Sequence, residues 1–305
     1  MHRFSANVSL VLALAASTCT TVAVSAATTT EFASSVASYS GPNSAGATVL
    51  NPNGSIGHFA TSEGGYAIDP FFPPYPQTAS GSYPAVLTTV KAGGALTLQF
   101  AAPVILSTGA YLGVYSSVGL INANGTPGGQ PQAPSTGPIT LSTPSEAIVS
   151  VSADGTHFVS LNGGAPITFD NPTNAFTTVD DTVVTSGSYT FVSPQPAASG
   201  TTPQYAAATP FSGNINDFAG QTESQILNLL NGTAGGTWIH LSGSSTLGLN
   251  SIDYVRFTVP SGESAYINAA ALYGDPSTPT PEPSALLIGL VPLLGLLAMR
   301  RRRTA

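Results

Sequence analysis

The sequence predicts an all-β fold, an antiparallel β-sandwich or jelly roll with one short helix, set between two apolar terminal segments. Short runs of alternating or β-branched residues recur through the middle of the chain, and clusters of Gly, Pro, Asn and Asp separate them. A single stretch has the spacing of an amphipathic helix. Charged residues make up 7% of the 305 residues, which is unusual for a cytosolic protein, where about a quarter are charged.

The apolar runs place the strands. The runs predicted as strands are 96–100, 104–106, 111–115, 147–151, 158–161, 167–169, 183–184, 189–192, 238–241, 252–259 and 265–272. Between two of them, Asp154-Gly155 predicts a tight hairpin with a primed turn, because this pair supplies the positive φ angles that such a turn requires. Two Pro-rich stretches, 125–138 and 193–210, predict surface loops, since proline cannot donate to a central β-ladder.

One helix is predicted over residues 222–231. Thr222 and Gln225 have the spacing of a capping box, and Asn231-Gly232 is typical of a helix end. The apolar stripe of this helix comprises Ile226, Leu227, Leu229 and Leu230.

The N-terminus has the three parts of a secretory signal peptide over residues 1–26. Arg3 precedes an apolar run at 8–16, and small residues at 24–26 predict cleavage by signal peptidase after Ala26. The single cysteine, Cys19, lies within this segment. The mature protein is therefore expected to contain no disulfide and no thiol chemistry.

The C-terminus divides into a Pro-rich linker at 276–284, an apolar segment at 285–299 and an Arg-rich tail at 300–305. Fifteen helical residues rise about 22 Å, which is short of the ~30 Å hydrocarbon core. To span, such a helix would need thinning of the bilayer or snorkelling of the flanking arginines. Arg300, Arg301, Arg302 and Arg303 favour the cytoplasmic side, which leaves residues 27–275 outside that membrane.

In this order, Pro281-Glu282-Pro283, the apolar segment and the arginine cluster resemble the PEP-CTERM sorting signal of Gram-negative bacteria. The resemblance covers residues 278–305. It implies that an exosortase, a membrane-embedded protease, recognises the motif and removes the tail, so that the helix is a transient anchor. It further implies export to the cell surface or extracellular matrix. Proteins with this signal are typically co-encoded with exopolysaccharide machinery.

Basic residues are nearly absent from the middle of the chain. Between residues 27 and 275, Lys91 and Arg256 are the two basic residues, against 13 acidic ones. Because phosphate contacts need clustered Lys and Arg, this excludes a nucleic acid as a partner.

Four segments of residues 27–275 carry a second resemblance, to bacterial cell-surface proteins with a discoidin-like jelly roll. They are 96–103 (LTLQFAAP), 149–158 (VSVSADGTHF), 235–241 (GGTWIHL) and 252–257 (IDYVRF). Their shared order implies a discoidin-like fold. The chain departs from the family pattern at His240, where that pattern carries Asp, so the resemblance implies no metal or polar contact there.

No catalytic site can be identified from the residues. His58, His157 and His240 remain after signal cleavage, and no pair has metal-ligand spacing. We expect His157 to face solvent on a strand beside Phe158 and His240 to be a structural, hydrogen-bonded residue. No Gly-x-Ser-x-Gly elbow occurs. The acids are scattered, although a pair that converges in the fold would permit glycoside hydrolysis.

Two kinds of residue could bind a ligand. Oxygen-rich turns at 170–174 and 180–182 suit a structural Ca²⁺, or else they cap their own backbone. In the Pro-rich segment 70–84, Phe72 and Tyr75 are candidates for stacking against sugar rings, or else they cover one end of the sandwich. No other cofactor is expected.

The leading hypothesis is a non-enzymatic, structural or adhesive envelope protein. The alternatives are a carbohydrate-binding module for exopolysaccharide and a polysaccharide-degrading enzyme with an unrecognised carboxylate pair.

Overall fold

The structure is a computed structural model. It describes residues 29–40, 56–63, 66–74, 86–106, 109–122, 135–140, 145–186, 189–196, 204–241 and 247–274. The predicted signal peptide with Ala26, the motif Pro281-Glu282-Pro283, the segment 285–299 and the tail with Arg300, Arg301, Arg302 and Arg303 lie outside these residues. Tyr75 also lies outside them. Within the described ranges, no helix is both long and apolar enough to cross a membrane.

The described chain is mostly β-strand, with almost no helix. The strands are β1 (Thr29–Ser40), β2 (Ser62–Glu63), β3 (Tyr66–Ala67), β4 (Thr88–Lys91), β5 (Ala95–Ile105), β6 (Tyr111–Ser116), β7 (Val118–Asn122), β8 (Ser135–Thr140), β9 (Glu146–Ser152), β10 (Val159–Ser160), β11 (Ile167–Thr168), β12 (Val179–Ser186), β13 (Tyr189–Pro196), β14 (Thr237–His240), β15 (Ser251–Thr258) and β16 (Ser264–Gly274). The α-helix, α1, spans Glu223–Leu229. This content confirms the all-β prediction.

One antiparallel sheet contains ten of the strands, in the order β10-β9-β15-β5-β1-β16-β6-β14, with β11 beside β9 and β4 beside β16. Strand β1 joins its two halves: Phe32 pairs with Ala271 of β16, and Ala33 pairs with Phe100 of β5. The sheet thus curls into a half-barrel, which is consistent with the predicted sandwich. The β1 segment was not predicted as a strand.

The main core lies between the two halves of the curled sheet. Its largest fully buried side chains include Leu98 and Phe100 of β5, Leu112 of β6 and Phe257 of β15. Alternate residues of these strands point inward, as the period of two requires for a half-buried sheet.

The predicted strands 96–100 and 104–106 form one strand, β5, with an irregularity between them. Tyr254 of β15 pairs with Gln99, and Ile252 pairs with Val104, so residues 100–103 stand opposite Asp253 alone. Pro103 is exposed in this bulge. The bulge explains how a proline is tolerated in a strand of the main sheet. At this position no backbone N–H has to donate a hydrogen bond to the neighbouring strand.

The tight turn predicted at Asp154-Gly155 was wrong. The pair of β9 and β10 residues nearest the turn is Val151 with Val159, so the connecting loop is longer than two residues. Gly155 has a φ of +74°, but Asp154 does not have the positive φ of a primed turn. Instead, the Asp154 carboxylate accepts hydrogen bonds from the loop's own amides, which stabilises an open loop.

The predicted helix is confirmed. The amide of Thr222 donates to Gln225 Oε1 at 2.8 Å, and the amide of Gln225 donates to Thr222 Oγ1 at 3.4 Å, which completes the capping box. Ile226 and Leu230 are buried in a second small core, whereas Leu229 is exposed. The apolar stripe of α1 is therefore narrower than predicted.

The Pro-rich stretches are not entirely loops. Pro138 in β8 pairs with Leu120 of β7, and Pro194 in β13 pairs with Asp181 of β12. Both pairs are two-stranded ribbons outside the ten-stranded sheet. Proline is excluded from central strands but tolerated in edge strands. The prediction of loops was therefore too strict, because it also excluded edge strands from these two stretches.

Candidate functional site

An open cleft of about 480 Å³ lies beside the junction of β1 and β16. The described residues that line it are His58, Phe59, Ala60, Thr61 and Tyr205. They come from two segments far apart in sequence, 58–61 and residue 205. The volume falls within the range of ligand-binding pockets, about 300–1,000 Å³.

Hydrogen bonds from backbone amides hold both segments in place. The amide of Gly57 donates to the Ala33 carbonyl of β1 at 2.7 Å, and the amide of Ala60 donates to Asn268 Oδ1 of β16 at 2.8 Å. On the other side, the amide of Ala206 donates to the Ala175 carbonyl at 3.0 Å. The cleft is therefore anchored to the main sheet on one side and to segment 175–177 on the other.

Tyr205 presents an aromatic face to solvent. Its exposed fraction is 61%, although large aromatic side chains are usually well buried. The ring is supported from behind by Phe176, with 5.0 Å between ring centroids and an interplanar angle of 32°. An exposed ring on a fixed support is suited to stack against a flat apolar surface of a ligand.

The opposite side of the cleft is also aromatic. Phe59 is 1% exposed and packs against His58, with 3.9 Å between centroids, and against Tyr115, at 4.6 Å. His58 Nδ1 lies 2.8 Å from the Phe59 carbonyl oxygen. Because a carbonyl only accepts, Nδ1 carries the proton of this bond, and in the neutral ring Nε2 is an acceptor. The lining thus combines aromatic faces with the imidazole and with the hydroxyl groups of Thr61 and Tyr205.

Of the two predicted sugar-stacking residues, Phe72 is not among the described residues that line this cleft. Phe72 is half-buried, and Tyr75 lies outside the described residues. The amides of Phe71 and Phe72 donate to Asp69 Oδ1 at 2.7 and 2.6 Å. Phe71 is buried with Leu120 and Phe218, so this described part of the predicted loop serves as a cover over a small core. Tyr205 and the pocket role of His58 were missed, because residues distant in sequence leave no local pattern.

Three of the motif segments, 96–103, 149–158 and 252–257, contact one another on the outer face of the sheet. Gly155 lies against the Tyr254 ring, such that an added Cβ would be 3.1 Å from Tyr254 Cζ. The guanidinium of Arg256 lies over the Phe158 ring, and Arg256 Nε donates to Thr97 Oγ1 at 3.2 Å. The motif residues therefore hold the β9–β10 hairpin on β15 and β5.

The glycine-rich segment 235–241 fixes the Trp238 side chain. Trp238 Nε1 donates to the Gly235 carbonyl at 2.8 Å, and the indole ring covers Gly113 of β6, where a Cβ would be 2.7 Å from Trp238 Cη2. His240 is exposed on β14 and its ring lies edge-on to Tyr111 at 4.9 Å. His157 is exposed as predicted, but it lies in the loop after Asp154 and not on a strand.

Most acids with described contacts serve as local caps. Asp217 Oδ2 accepts from the amide of Asn214 at 2.8 Å, and Asp69 and Asp154 accept from amides two and three residues on. The pKa of Asp253 is raised by burial, and its carboxylate accepts from Gln99 Nε2 at 3.4 Å. Within the described residues, no three His, Cys, Asp or Glu side chains gather into a metal-binding group.

The oxygen-rich stretch 170–174 is buried to an unusual degree. Asn171, Thr173 and Asn174 are 6%, 0% and 2% exposed, and burial raises the pKa of Asp170. The side chains of the other predicted oxygen-rich turn, 180–182, lie outside the described residues. Comparison with protein-family models, curated proteins and solved structures finds no match, so the function has to be inferred from the residues and their geometry.

Proposed function

We propose that this chain is an exported envelope or extracellular-matrix protein with a structural or adhesive, non-enzymatic role. The observation that carries the proposal is the C-terminal amino-acid sequence, in which Pro281-Glu282-Pro283, the apolar segment 285–299 and four consecutive arginines follow one another in this order. A signal peptide ending at Ala26 starts export, and the C-terminal helix holds the protein until an exosortase removes it. The mature protein is then released to the cell surface.

The exported part, residues 27–275, is proposed to be a discoidin-like jelly roll. Support comes from the curled antiparallel sheet and from the contacts between the quoted motifs, above all Arg256 with Phe158 and Tyr254 with Gly155. These residues are the ones by which the sequence resembles that class. They act on the stability of the hairpin, so the resemblance concerns the fold and assigns no activity.

A second candidate function is binding of extracellular polysaccharide in the cleft of His58 and Tyr205. An exposed, supported aromatic ring favours stacking against the apolar face of a sugar ring, and neighbouring hydroxyls and an imidazole can bond its hydroxyl groups. The described lining holds no Lys, Arg, Asp or Glu. We therefore favour a neutral polysaccharide over an anionic one.

A polysaccharide-degrading enzyme is the rival from another class. It requires two carboxyl groups about 5–10 Å apart across a cleft, one as acid and one as base or nucleophile. The contacts of Asp69, Asp154 and Asp217 favour the non-enzymatic role, since each carboxylate is engaged by nearby backbone amides. Release of reducing ends from matrix polysaccharide by the purified protein would favour the enzyme instead.

The sorting proposal is tested by replacing Pro281, Glu282 and Pro283 with alanine in cells that express the full chain. Tail removal, followed by the size of the protein and its retention in the membrane fraction, is expected to stop. Pro279→Ala, two residues upstream, is the matched control and should be processed normally. Unchanged processing of the triple variant would contradict the hypothesis that an exosortase recognises this motif.

A further inference from the structure

Strands β1 and β16 have their outer ends side by side. Thr29, the first residue of β1, pairs with Gly274, the last residue of β16. The proposed signal-peptidase site at Ala26 lies just before Thr29, and ten residues, 275–284, separate Gly274 from the apolar segment 285–299. Both segments that are proposed to enter the membrane therefore leave the sheet at the same place, which we call the paired end.

The ends of other strands lie at the paired end as well. A Cβ added to Gly274 would be 3.2 Å from Val104 Cγ1 of β5 and 3.5 Å from the Cβ of Ala110, which precedes β6. The amide of Leu241, which follows β14, donates to the Ala110 carbonyl at 2.9 Å. The ends of β5, β6 and β14 are thereby gathered around those of β1 and β16.

Apolar and aromatic side chains reach the surface at the paired end. Ile105 of β5 has an exposed fraction of 40%, which is high for an apolar side chain in a strand. Tyr111 pairs with Tyr273 on one side and with His240 on the other, so these residues form a row across β16, β6 and β14. Both tyrosines are half-buried. Tyrosine rings are enriched at the boundary between lipid headgroups and acyl chains, where one end of the side chain is apolar and the other is wet.

The paired end has few charges. The stretches 92–145 and 224–252, which supply the ends of β5, β6 and β14, contain no Asp, Glu, Lys or Arg. Lys91 pairs with Ser264 at the opposite end of β16, and Arg256 stacks on Phe158. The charged residues nearest the paired end on β1, on β15, in the loop after β9 and in the linker are acidic: Glu31, Asp253, Asp154 and Asp275. A lipid contact here is therefore apolar, and it does not depend on attraction of basic residues to anionic headgroups.

We propose that the paired end lies against the lipid bilayer while the C-terminal tail is attached, with Ile105, Tyr111 and Tyr273 at the boundary between headgroups and acyl chains. The inference rests on the proposed sorting route, because the tail supplies the anchor. Few side chains take part, so the contact depends on the high local concentration that a short linker provides. Removal of the tail would then release the domain from the membrane.

This contact also determines where the sorting motif is held. Glu282 lies eight residues after Gly274, in a proline-rich linker. An extended proline-rich chain rises about 3.1 Å per residue, so the motif stays within about 25 Å of the paired end. With the paired end on the bilayer, the motif is kept near the membrane surface, where a membrane-embedded protease acts.

The test uses the full chain, with Cys19→Ser, in phosphatidylcholine vesicles that contain nitroxide-labelled lipid. A fluorophore is attached to a single introduced cysteine, Asn250→Cys or Ser261→Cys. The Asn250 carbonyl accepts from the amide of Leu106 at 3.0 Å, next to the paired end, whereas Ser261 is exposed in the turn between β15 and β16, at the opposite end. Emission from position 250 is expected to be quenched, and emission from position 261 to be retained.

Two results would count against the proposal, and flotation of the vesicles distinguishes them. Equal quenching at the two positions, in a chain that floats with the vesicles, would overturn the contact and leave the anchor intact. A chain that does not float would contradict the proposed anchor, and this inference with it.

Ile105→Glu is the sharpest variant, because it places a charge in the contact at an exposed position. Quenching at position 250 is expected to fall to the level at position 261, while flotation is unchanged. Leu229→Glu alters an apolar side chain of nearly equal exposure, 42%, on α1 and should keep the full quenching. If Ile105→Glu unfolds, Ile105→Ser removes the apolar side chain without adding a charge and should also reduce quenching. Full quenching in the folded Ile105 variant, or quenching that requires anionic phosphatidylglycerol, would contradict an apolar contact.

Discussion

The guanidinium carbon of Arg256 lies 3.6 Å from the centroid of the Phe158 ring. Arg256 belongs to β15, in the centre of one half of the sheet, and Phe158 follows the loop of the β9–β10 hairpin. The contact closes the hairpin onto the outer face of the sheet, and Arg256 Nε is fixed by Thr97 of β5. One of the two basic residues between positions 27 and 275 therefore has a structural role.

Replacing Phe158 with leucine should lower the free energy of unfolding by about 1 kcal/mol, because the cation–π contact is lost while an apolar side chain remains. Phe158→Tyr keeps the aromatic ring and should leave stability within about 0.5 kcal/mol of the wild type. Urea unfolding measures both. Equal stability of the leucine variant and the wild type would show that the contact does not hold the hairpin.

Tyr205→Ala should weaken binding of a neutral matrix polysaccharide at least tenfold, since a central aromatic contact is typically worth about 2 kcal/mol. Affinity electrophoresis against a panel of matrix polysaccharides measures the loss. Leu229→Ala removes another exposed apolar side chain, on α1, and serves as the control. Binding that is equally strong in the Tyr205 variant would remove the cleft from consideration.

The loop after β9 should depend on pH through Asp154 and His157. Asp154 Oδ2 lies 2.7 Å from His157 Nδ1; this contact holds the pKa of Asp154 well below its usual range and raises the pKa of His157 above 6.5. The contribution of Asp154 to loop stability is fully present above its unfolded pKa near 3.8, and it is lost as pH falls through the lower pKa of the folded state. The contribution of His157 to loop stability is fully present below its unfolded pKa of 6.5, and it is lost as pH rises through the higher pKa of the folded state.

Both groups are exposed, so the effect is expected in the loop and not in global stability. In an NMR titration, Asp154→Asn should return the His157 pKa to its ordinary range. It should also accelerate hydrogen exchange of the Thr156 and His157 amides, which in the wild type donate hydrogen bonds to the Asp154 carboxylate at 2.8 Å. Thr168→Val, at an exposed position outside the loop, should change neither. If His157 titrates identically in the Asn variant, the two side chains do not interact in solution.

Gly235→Ala should be severely destabilising. The residue has a φ of +68°, and an added Cβ would lie 2.1 Å from the Pro172 carbonyl oxygen. Gly232 has a φ of +81° and nothing within 4 Å of an added Cβ, so Gly232→Ala carries the backbone strain without the clash. We expect a loss of about 1–2 kcal/mol for Gly232→Ala and of more than about 3 kcal/mol for Gly235→Ala in urea unfolding. Similar losses for the two would mean that Gly235 and Pro172 are not in close contact.

Local patterns in the sequence predicted the elements that depend on local chemistry. The capping pair Thr222 and Gln225 fixed the start of α1, and the alternation at 147–151 and 252–257 placed β9 and β15. Strand β1 escaped prediction because its Ser, Thr and Ala residues give little apolar alternation, and it is held by β5 and β16 on its two sides. The turn at Asp154 was missed because its side chain competes with the backbone for the loop amides.

The candidate site could not be predicted in the same way. Tyr205 lies within the Pro-rich stretch 193–210, which was predicted as a surface loop. It reaches the cleft through pairing of segment 204–206 with 175–177. Exposure, which makes Tyr205 a candidate for binding, is a property of the fold. The buried oxygens at 171–174 were visible as an oxygen-rich turn, but their burial and lack of partners depend on segments 213 and 234–237.

In the proposed sorting route, the protein is exported and loses both terminal segments. The most direct measurement is the intact mass, with sequencing of the terminal peptides, of the protein recovered from the surface fraction of the cells that encode it. We expect an N-terminus at Ala27 and a C-terminus that lacks the four arginines at 300–303. A protein recovered with Met1 and the arginine tail intact, or found in the cytoplasmic fraction, would contradict it.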